Sequence, residues 1–266
     1  MTYVLDNADD RALLRLNALA EIFDTDTIQH LEARGVGSGW SCLEVGAGGG
    51  SMARWLSSRV GASGFVLATD IDTRHLASLQ LPNLEVRKHD IAADPVPVGA
   101  FDLVHARLVL NSMPHSTNVL ERLVAALKPR GWLVIEEFQS FVGACETASK
   151  PAESGTKTTA ALWHVMQRAG WDSQYGRSLG ARFRAQHLDA VGMVGRAFCW
   201  RSGSAGALLT RVNREQLRDA ILATGLVARD EFESDLAAIG HQDFEVTSPL
   251  LWTAWGQRPT VSRGPA

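Results

Sequence analysis

The sequence predicts an α/β protein, a doubly wound and mostly parallel seven-stranded sheet with helices on both faces, and three observations predict it. From residue 41 onward, short apolar runs alternate with amphipathic segments, the pattern of βαβ units. A glycine-rich stretch, Gly46-Ala47-Gly48-Gly49-Gly50, follows the first run and opens a helical pattern, as at the strand-to-helix turns where open parallel sheets bind ligands. With 266 residues, 45% of them hydrophobic, the chain can bury one large core.

The elements follow in order. Leu13, Leu16, Ala20 and Phe23 recur at helical spacing behind Asp9-Asp10, which can cap a helix N-terminus. Strands are expected at 41–45, 64–69, 84–88, 101–106 and 132–137. In the fourth crossover Leu120, Leu123, Val124 and Leu127 fall on one helix face, Ser116 or Thr117 supplies the cap, and Lys128-Pro129-Arg130-Gly131 stops the helix. After Glu137 a polar segment, 145–157, leads into a helix carrying Leu162, Val165, Met166 and Ala169 on one face. Apolar runs near 193–200 and 246–255 read as the last two strands of the same sheet, with helical patterns around 213–224 and 229–239 inserted between them. The expected organisation is one domain over 1–266, with an N-terminal helical lid at 1–38, a cofactor-binding half at 39–137, and helical insertions or cap at 138–192 and 203–243.

A formal net charge of -3 offers no field to attract a polyanion, so a small-molecule substrate is expected and nucleic acid is not. The first residues carry charges where a signal peptide needs an apolar core, and no run is long enough to span a bilayer. A cytoplasmic protein without a membrane partner is the expectation. Cys42, Cys145 and Cys199 are widely spaced, which suits reduced thiols and suggests no metal site. The N-terminal helix and the tryptophans offer a surface for a homodimer.

Glycines after a strand permit positive φ and let backbone amides touch a ligand at the positive end of the next helix. Glu44, two residues before the first of them, would repel a pyrophosphate but suits a cofactor whose nearby end carries an ammonium group. S-adenosylmethionine is such a cofactor, and it has no phosphates.

Glu44-Val45-Gly46-Ala47-Gly48-Gly49-Gly50 resembles motif I of the class I S-adenosylmethionine-dependent methyltransferases. Val66-Leu67-Ala68-Thr69-Asp70-Ile71-Asp72 resembles that family's second strand, which implies that Asp70 accepts the ribose hydroxyls and Ile71 lies against adenine. His89-Asp90-Ile91 resembles the segment after the third strand, implying that Asp90 accepts the adenine amino group and Ile91 packs on the ring. Phe101-Asp102-Leu103-Val104-His105-Ala106-Arg107 resembles the fourth strand and its active-site end. The resemblance covers about residues 38 to 137. It implies S-adenosyl-L-methionine as cofactor, S-adenosyl-L-homocysteine as product and a seventh, antiparallel strand, assigned to the run near 246–255.

The cofactor set so implied is Glu44, Gly46, Ala47, Gly48, Gly50, Ser51, Asp70, Ile71, Asp90, Ile91 and His105, with Tyr3 from the N-terminal segment. Related sequences often carry a histidine pair after the fourth strand, where this chain has Asn111-Ser112 and then Met113-Pro114-His115. His115 is therefore the first candidate for a base, with Arg107 and Asn111 as substrate-orienting groups. Of Glu136 and Glu137, which end the fifth strand on opposite faces, only one can face the pocket. The expected function is methyl transfer to a small organic molecule such as a natural-product intermediate. The alternatives are a non-catalytic S-adenosylmethionine-binding module and a nucleotide-dependent dehydrogenase.

Overall fold

The computed structural model describes residues 4–113, 116–139 and 153–260. Tyr3, His115, Cys145 and the first part of the polar 145–157 segment lie outside the described residues. The chain forms α1 (Ala12–Glu32), β1 (Ser41–Val45), α2 (Ser51–Val60), β2 (Phe65–Asp70), β3 (Leu84–Lys88), β4 (Phe101–Arg107), α3 (Ser116–Ala126), β5 (Leu127–Gln139) and α4 (Glu153–Arg168). It continues through α5 (Tyr175–Ala185), β6 (Asp189–Arg196), β7 (Cys199–Arg201), α6 (Ala205–Gln216), α7 (Arg218–Ala223), α8 (Arg229–Ala238), β8 (Glu245–Thr247) and β9 (Leu250–Gln257). Two compact units result, one centred on a large sheet and one mainly helical.

The sheet unit comprises Asp24–Phe138, Gln174–Gly195 and Leu251–Ala266. Its seven strands run in the order β3-β2-β1-β4-β5-β9-β6, with β1 parallel to β2 and β4, β2 to β3, and β4 to β5. Strand β9 runs the other way: Arg130 and Gly131 at the start of β5 exchange backbone hydrogen bonds with Arg258, while Glu136 near its end meets Thr253. The mostly parallel, seven-stranded sheet is the one the sequence predicts. Alternation sorts its side chains onto two faces. Leu43, Val45, Val104, Ala106, Leu133 and Ile135 pack with residues of α3 and α5, and Cys42, Leu103 and Val134 pack with Leu31 of α1 and with Met52, Leu56 and Val60 of α2.

Three expectations are corrected. No α-helix forms between β2 and β3 or between β3 and β4; the first connection holds only a 3-10 turn at Arg74–Leu76. Each has about a dozen residues, and Pro82, Pro95 and Pro97 interrupt any helical pattern. The sixth strand ends at Arg196, earlier than the apolar run suggested, and Cys199–Arg201 instead pairs antiparallel with Glu245–Thr247 in a separate two-stranded sheet. Helix α1 buries Ala12, Arg15, Phe23, Thr27 and Leu31, whereas Leu13 is 47% exposed. Two of those buried positions are polar, so a count of apolar spacing alone misplaces the face.

The helical unit comprises Met1–Phe23, Gln139–Ser173 and Arg196–Leu250. Its core joins Leu5 with Ala161, Ala207, Leu217, Ile221 and Phe232. Inside it, the guanidinium of Arg214 meets the Asp235 carboxylate at 2.6 Å, both residues buried, and donates to the Thr159 hydroxyl. The tryptophans of this unit serve packing: Trp163 stacks on Trp171 with centroids 4.9 Å apart, and Trp200 covers Gly206 so closely that a Cβ there would lie 2.0 Å from the indole.

Candidate active site

The carboxyl ends of β1 and β2 build the glycine turn. Gly46 and Ala47 both donate their N–H groups to the Thr69 carbonyl, which draws the turn across β2. Gly46, Gly48 and Gly50 have φ values of 68°, 53° and 80°, a region that L side chains enter at a cost. At Gly46 a Cβ would lie 2.4 Å from Val109, and at Gly50 2.3 Å from Leu79. Asp70, nearly buried at the end of β2, accepts the Gly48 N–H at 2.8 Å and the Asp72 N–H at 3.0 Å. Burial pushes its carboxyl up from the ordinary value against those bonds. Gly46→Ala is expected to lower stability by about 1–3 kcal/mol through left-handed strain and the Val109 clash, read as a shift in the urea unfolding midpoint.

Register brings the next group together. Glu44 pairs with His105 across β1 and β4, and Arg107 pairs with Glu136 across β4 and β5, so all four side chains emerge on the α1/α2 face. His105 Nδ1 lies 2.6 Å from Glu44 Oε2, and its Nε2 lies 3.6 Å from Glu136 Oε2. Glu136 also accepts the hydroxyls of Thr27, at 2.5 Å, and Thr253, at 2.7 Å. Arg107 donates to Thr27 at 2.8 Å and to Asp24 at 2.7 Å. A continuous polar chain thus runs from beneath the glycine turn to the C-terminal half of α1, whose end is held by Arg34 over the Trp255 ring at 3.9 Å. Burial opposes ionisation of His105 and of Glu136, but the opposed charges prevail. His105 is pushed up to about 9 by the neighbouring carboxylates, and Glu136 falls to about 2 beside the imidazole.

Glu137 faces the other side of the sheet. Its Oε1 accepts the N–H groups of Val109 and Leu110 at 2.9 and 2.6 Å and lies 3.4 Å from that of Asn111. Complete burial pushes its carboxyl up to about 8, with those N–H groups pulling the other way. Leu108, with φ 59°, makes the sharp bend that leads into this turn. Glu137 therefore fixes the segment that carries Val109, against Gly46, and buried Asn111.

The remaining candidates are dispersed. Ala47 is nearly buried, Ser51 begins α2, and Ile71 is 44% exposed beside Asp70. Asp90 is exposed and accepts the Ala92 N–H, whereas Ile91 is buried in the core with Ala106 and Leu110. Thr27 and Thr253 were missing from the sequence reading. Thr27 lies four residues from both Phe23 and Leu31, so a hydroxyl on the buried stripe was the available signal. Among the described residues no group of three His, Cys, Asp or Glu is placed to hold a metal ion, and no helix is long and apolar enough to cross a membrane.

Comparison with known proteins bears on this geometry. A family model described as a methyltransferase domain matches residues 10–226. The chain belongs to the class I S-adenosylmethionine-dependent methyltransferases. This methyltransferase chain is 30% identical over 138 residues to methyltransferase str2 of Strobilurus tenacellus, an alignment covering 52% of it and 49% of that relative. It is 33% identical over 117 residues to the ubiquinone/menaquinone biosynthesis C-methyltransferase UbiE of Laribacter hongkongensis, covering 41% and 47%. The chain thus spans about half the length of the curated relatives it matches. Phosphoethanolamine N-methyltransferase 2 of Haemonchus contortus, solved with S-adenosyl-L-methionine, shares the fold with a TM-score of 0.59 and 14% identity, over 97% of this chain and 60% of that one.

Proposed function

We propose that this methyltransferase transfers a methyl group from S-adenosyl-L-methionine to a small organic acceptor, a natural-product or secondary-metabolite intermediate, in the cytoplasm. One observation carries the cofactor placement: two carboxylates, Glu44 and Asp70, flank a turn of positive-φ glycines, and the Cβ space of Gly46 and Gly50 is already filled. Such a cradle repels phosphates and fits an uncharged ribose at one end and an ammonium at the other. In this reading Asp70 accepts the ribose hydroxyls, Ile71 borders the adenine, and Asp90 takes its amino group, while Ile91, buried in the core, anchors the segment that carries Asp90. Glu44 faces the amino-acid end, and Gly46, Ala47, Gly48, Gly50 and Ser51 form the wall, with His105 buried behind Glu44. The similarity to a Strobilurus methyltransferase supports a secondary-metabolite acceptor.

The cofactor supplies an electrophilic methyl on a sulfonium. The chain's own task is to align the acceptor and exclude water, because in-line displacement gains most from positioning. Arg107 serves by holding α1 through Thr27 and Asp24, and Asn111 lies on the turn that Glu137 fixes. An acceptor hydroxyl, nitrogen or carbon that loses a proton needs a base, the role proposed for His115.

Calorimetric titration with S-adenosyl-L-homocysteine, with nicotinamide dinucleotide as control, tests the cofactor; micromolar binding of the first alone is expected, and selective dinucleotide binding would sink the proposal. Asp70→Ala is expected to weaken S-adenosylhomocysteine binding by about 1–3 kcal/mol, roughly tenfold or more, in a variant with an unchanged far-UV spectrum. His115→Ala is expected to lower turnover more than cofactor affinity. Intact turnover in that variant would remove His115 as the base, and cofactor binding without turnover on any acceptor would favour a non-catalytic binding module.

A further inference from the structure

Glu44, His105 and Glu136 lie in a row at the strand ends below the glycine turn, and methyl transfer makes no use of the middle one. Each is buried, and their contacts leave Glu44 half engaged: Oε2 lies against His105 Nδ1 at 2.6 Å, and among the described residues no hydrogen bond falls on Oε1. We infer that His105 is a protonated positioning residue that holds one oxygen of Glu44 and competes, through that shared carboxylate, with the amino group of the bound cofactor. The inference rests on the cofactor placement proposed above.

The charged groups facing His105 can be named by element. Strand β1 brings Glu44 and β5 brings Glu136. On its own strand Arg107 turns to Thr27 and to Asp24 of α1, while Thr253 of β9 gives Glu136 only a hydroxyl. Two carboxylates thus flank one imidazole, and a protonated ring leaves a single negative charge in excess. That excess suits a cationic ligand. Burial works against the ring's charge, but the two carboxylates outweigh it.

A positive charge set against Oε1 of Glu44 cancels part of the field that keeps His105 protonated. Binding of an ammonium must then lower the pH at which His105 loses its proton. By reciprocity, loss of that proton strengthens the hold on the ammonium. A histidine that merely fills space between strands would show neither effect. The same ring carries the effect onward, since Glu136 also holds the Thr27 hydroxyl of α1.

The test is a nuclear magnetic resonance titration of isotope-labelled histidine rings in the full chain, from about pH 6 to about pH 10, with His105→Asn to assign the resonance. The spectra are taken free, saturated with S-adenosylhomocysteine, and saturated with the corresponding thioether adenosine that lacks the amino-acid tail. The free midpoint is expected well above the ordinary histidine value of about 6.5. It should fall by about half a pH unit or more with S-adenosylhomocysteine and stay put with the tail-less ligand; in Glu44→Gln the response should vanish. A free midpoint at or below the ordinary value overturns the inference. So does an unmoved midpoint when calorimetry shows S-adenosylhomocysteine bound. If calorimetry shows no binding at all, the cofactor placement falls, and this inference falls with it. Should Glu44→Gln fail to fold, the contrast between the two ligands on the unaltered chain decides.

Discussion

Glu136→Ala is expected to destabilise the protein by about 3–5 kcal/mol, an effect set by what the carboxylate leaves behind. Glu136 is wholly buried and is the shared acceptor for Thr27 on α1 and Thr253 on β9, besides standing 3.6 Å from His105. Truncation strands two buried hydroxyls, each at about 1–3 kcal/mol, and opens a cavity of several methylene volumes. It also removes one of the two charges that hold the imidazole protonated. Glu136→Gln keeps an acceptor oxygen and the volume, so it should lose clearly less. Urea unfolding of both variants near pH 6 checks this. Equal stability of Glu136→Ala and the unaltered chain would mean that the polar chain between α1 and the strand ends does not hold the helix.

That polar chain also marks where sequence reading reaches its limit. The five parallel strands were legible because four contain apolar runs closed by turn residues and β3 alternates apolar with charged residues, and the glycine turn was legible because Glu44 precedes it and Asp70 ends the next strand. The offset of Glu44 is local, set by one strand and its turn, and Asp70 follows one βαβ step later. The partners of Glu44 are not local: His105 lies 61 residues on and reaches it only through parallel register. Thr27 and Glu136 are 109 residues apart, and a threonine within a helix carries no mark of burial until its acceptor is placed. The same reason explains the misread face of α1, where Arg15 and Thr27 are hidden, Arg15 donating to Asn7 and Thr27 to Glu136. The sixth strand was misjudged for a different reason. Residues 193–200 form one apolar run, and only pairing shows that its first part joins the large sheet while its last part bonds to Glu245–Thr247.

The contribution of His105 to stability, about 3 kcal/mol, is expected to be lost as the pH rises from about 6.5 to about 9, because folding raises its pKa. The folded state holds the His105 proton that the unfolded chain releases near 6.5, so the contribution is complete below that value and gone once the folded group titrates near 9. Glu137 acts with the same sign. Its folded value near 8 lies above the ordinary carboxyl value of 4.5, so its contribution is complete below the lower value and lost through the higher. Glu136 acts in the opposite sense: held down to about 2, it contributes above its ordinary value and loses that contribution as the pH falls toward 2. Its attraction to His105 is the same interaction seen from the other partner and is counted once. Maximal stability should therefore lie between the ordinary carboxyl and histidine values, at mildly acid pH. Urea unfolding at about pH 6 and about pH 9.5 measures the combined drop, and His105→Asn should flatten the slope above about pH 8, leaving below it the part due to Glu137. An unaltered chain equally stable at both pH values would mean that the imidazole is neutral between its two carboxylates. Two buried carboxylates without an imidazolium between them would then need a proton on one of them or a cation bound beside the row.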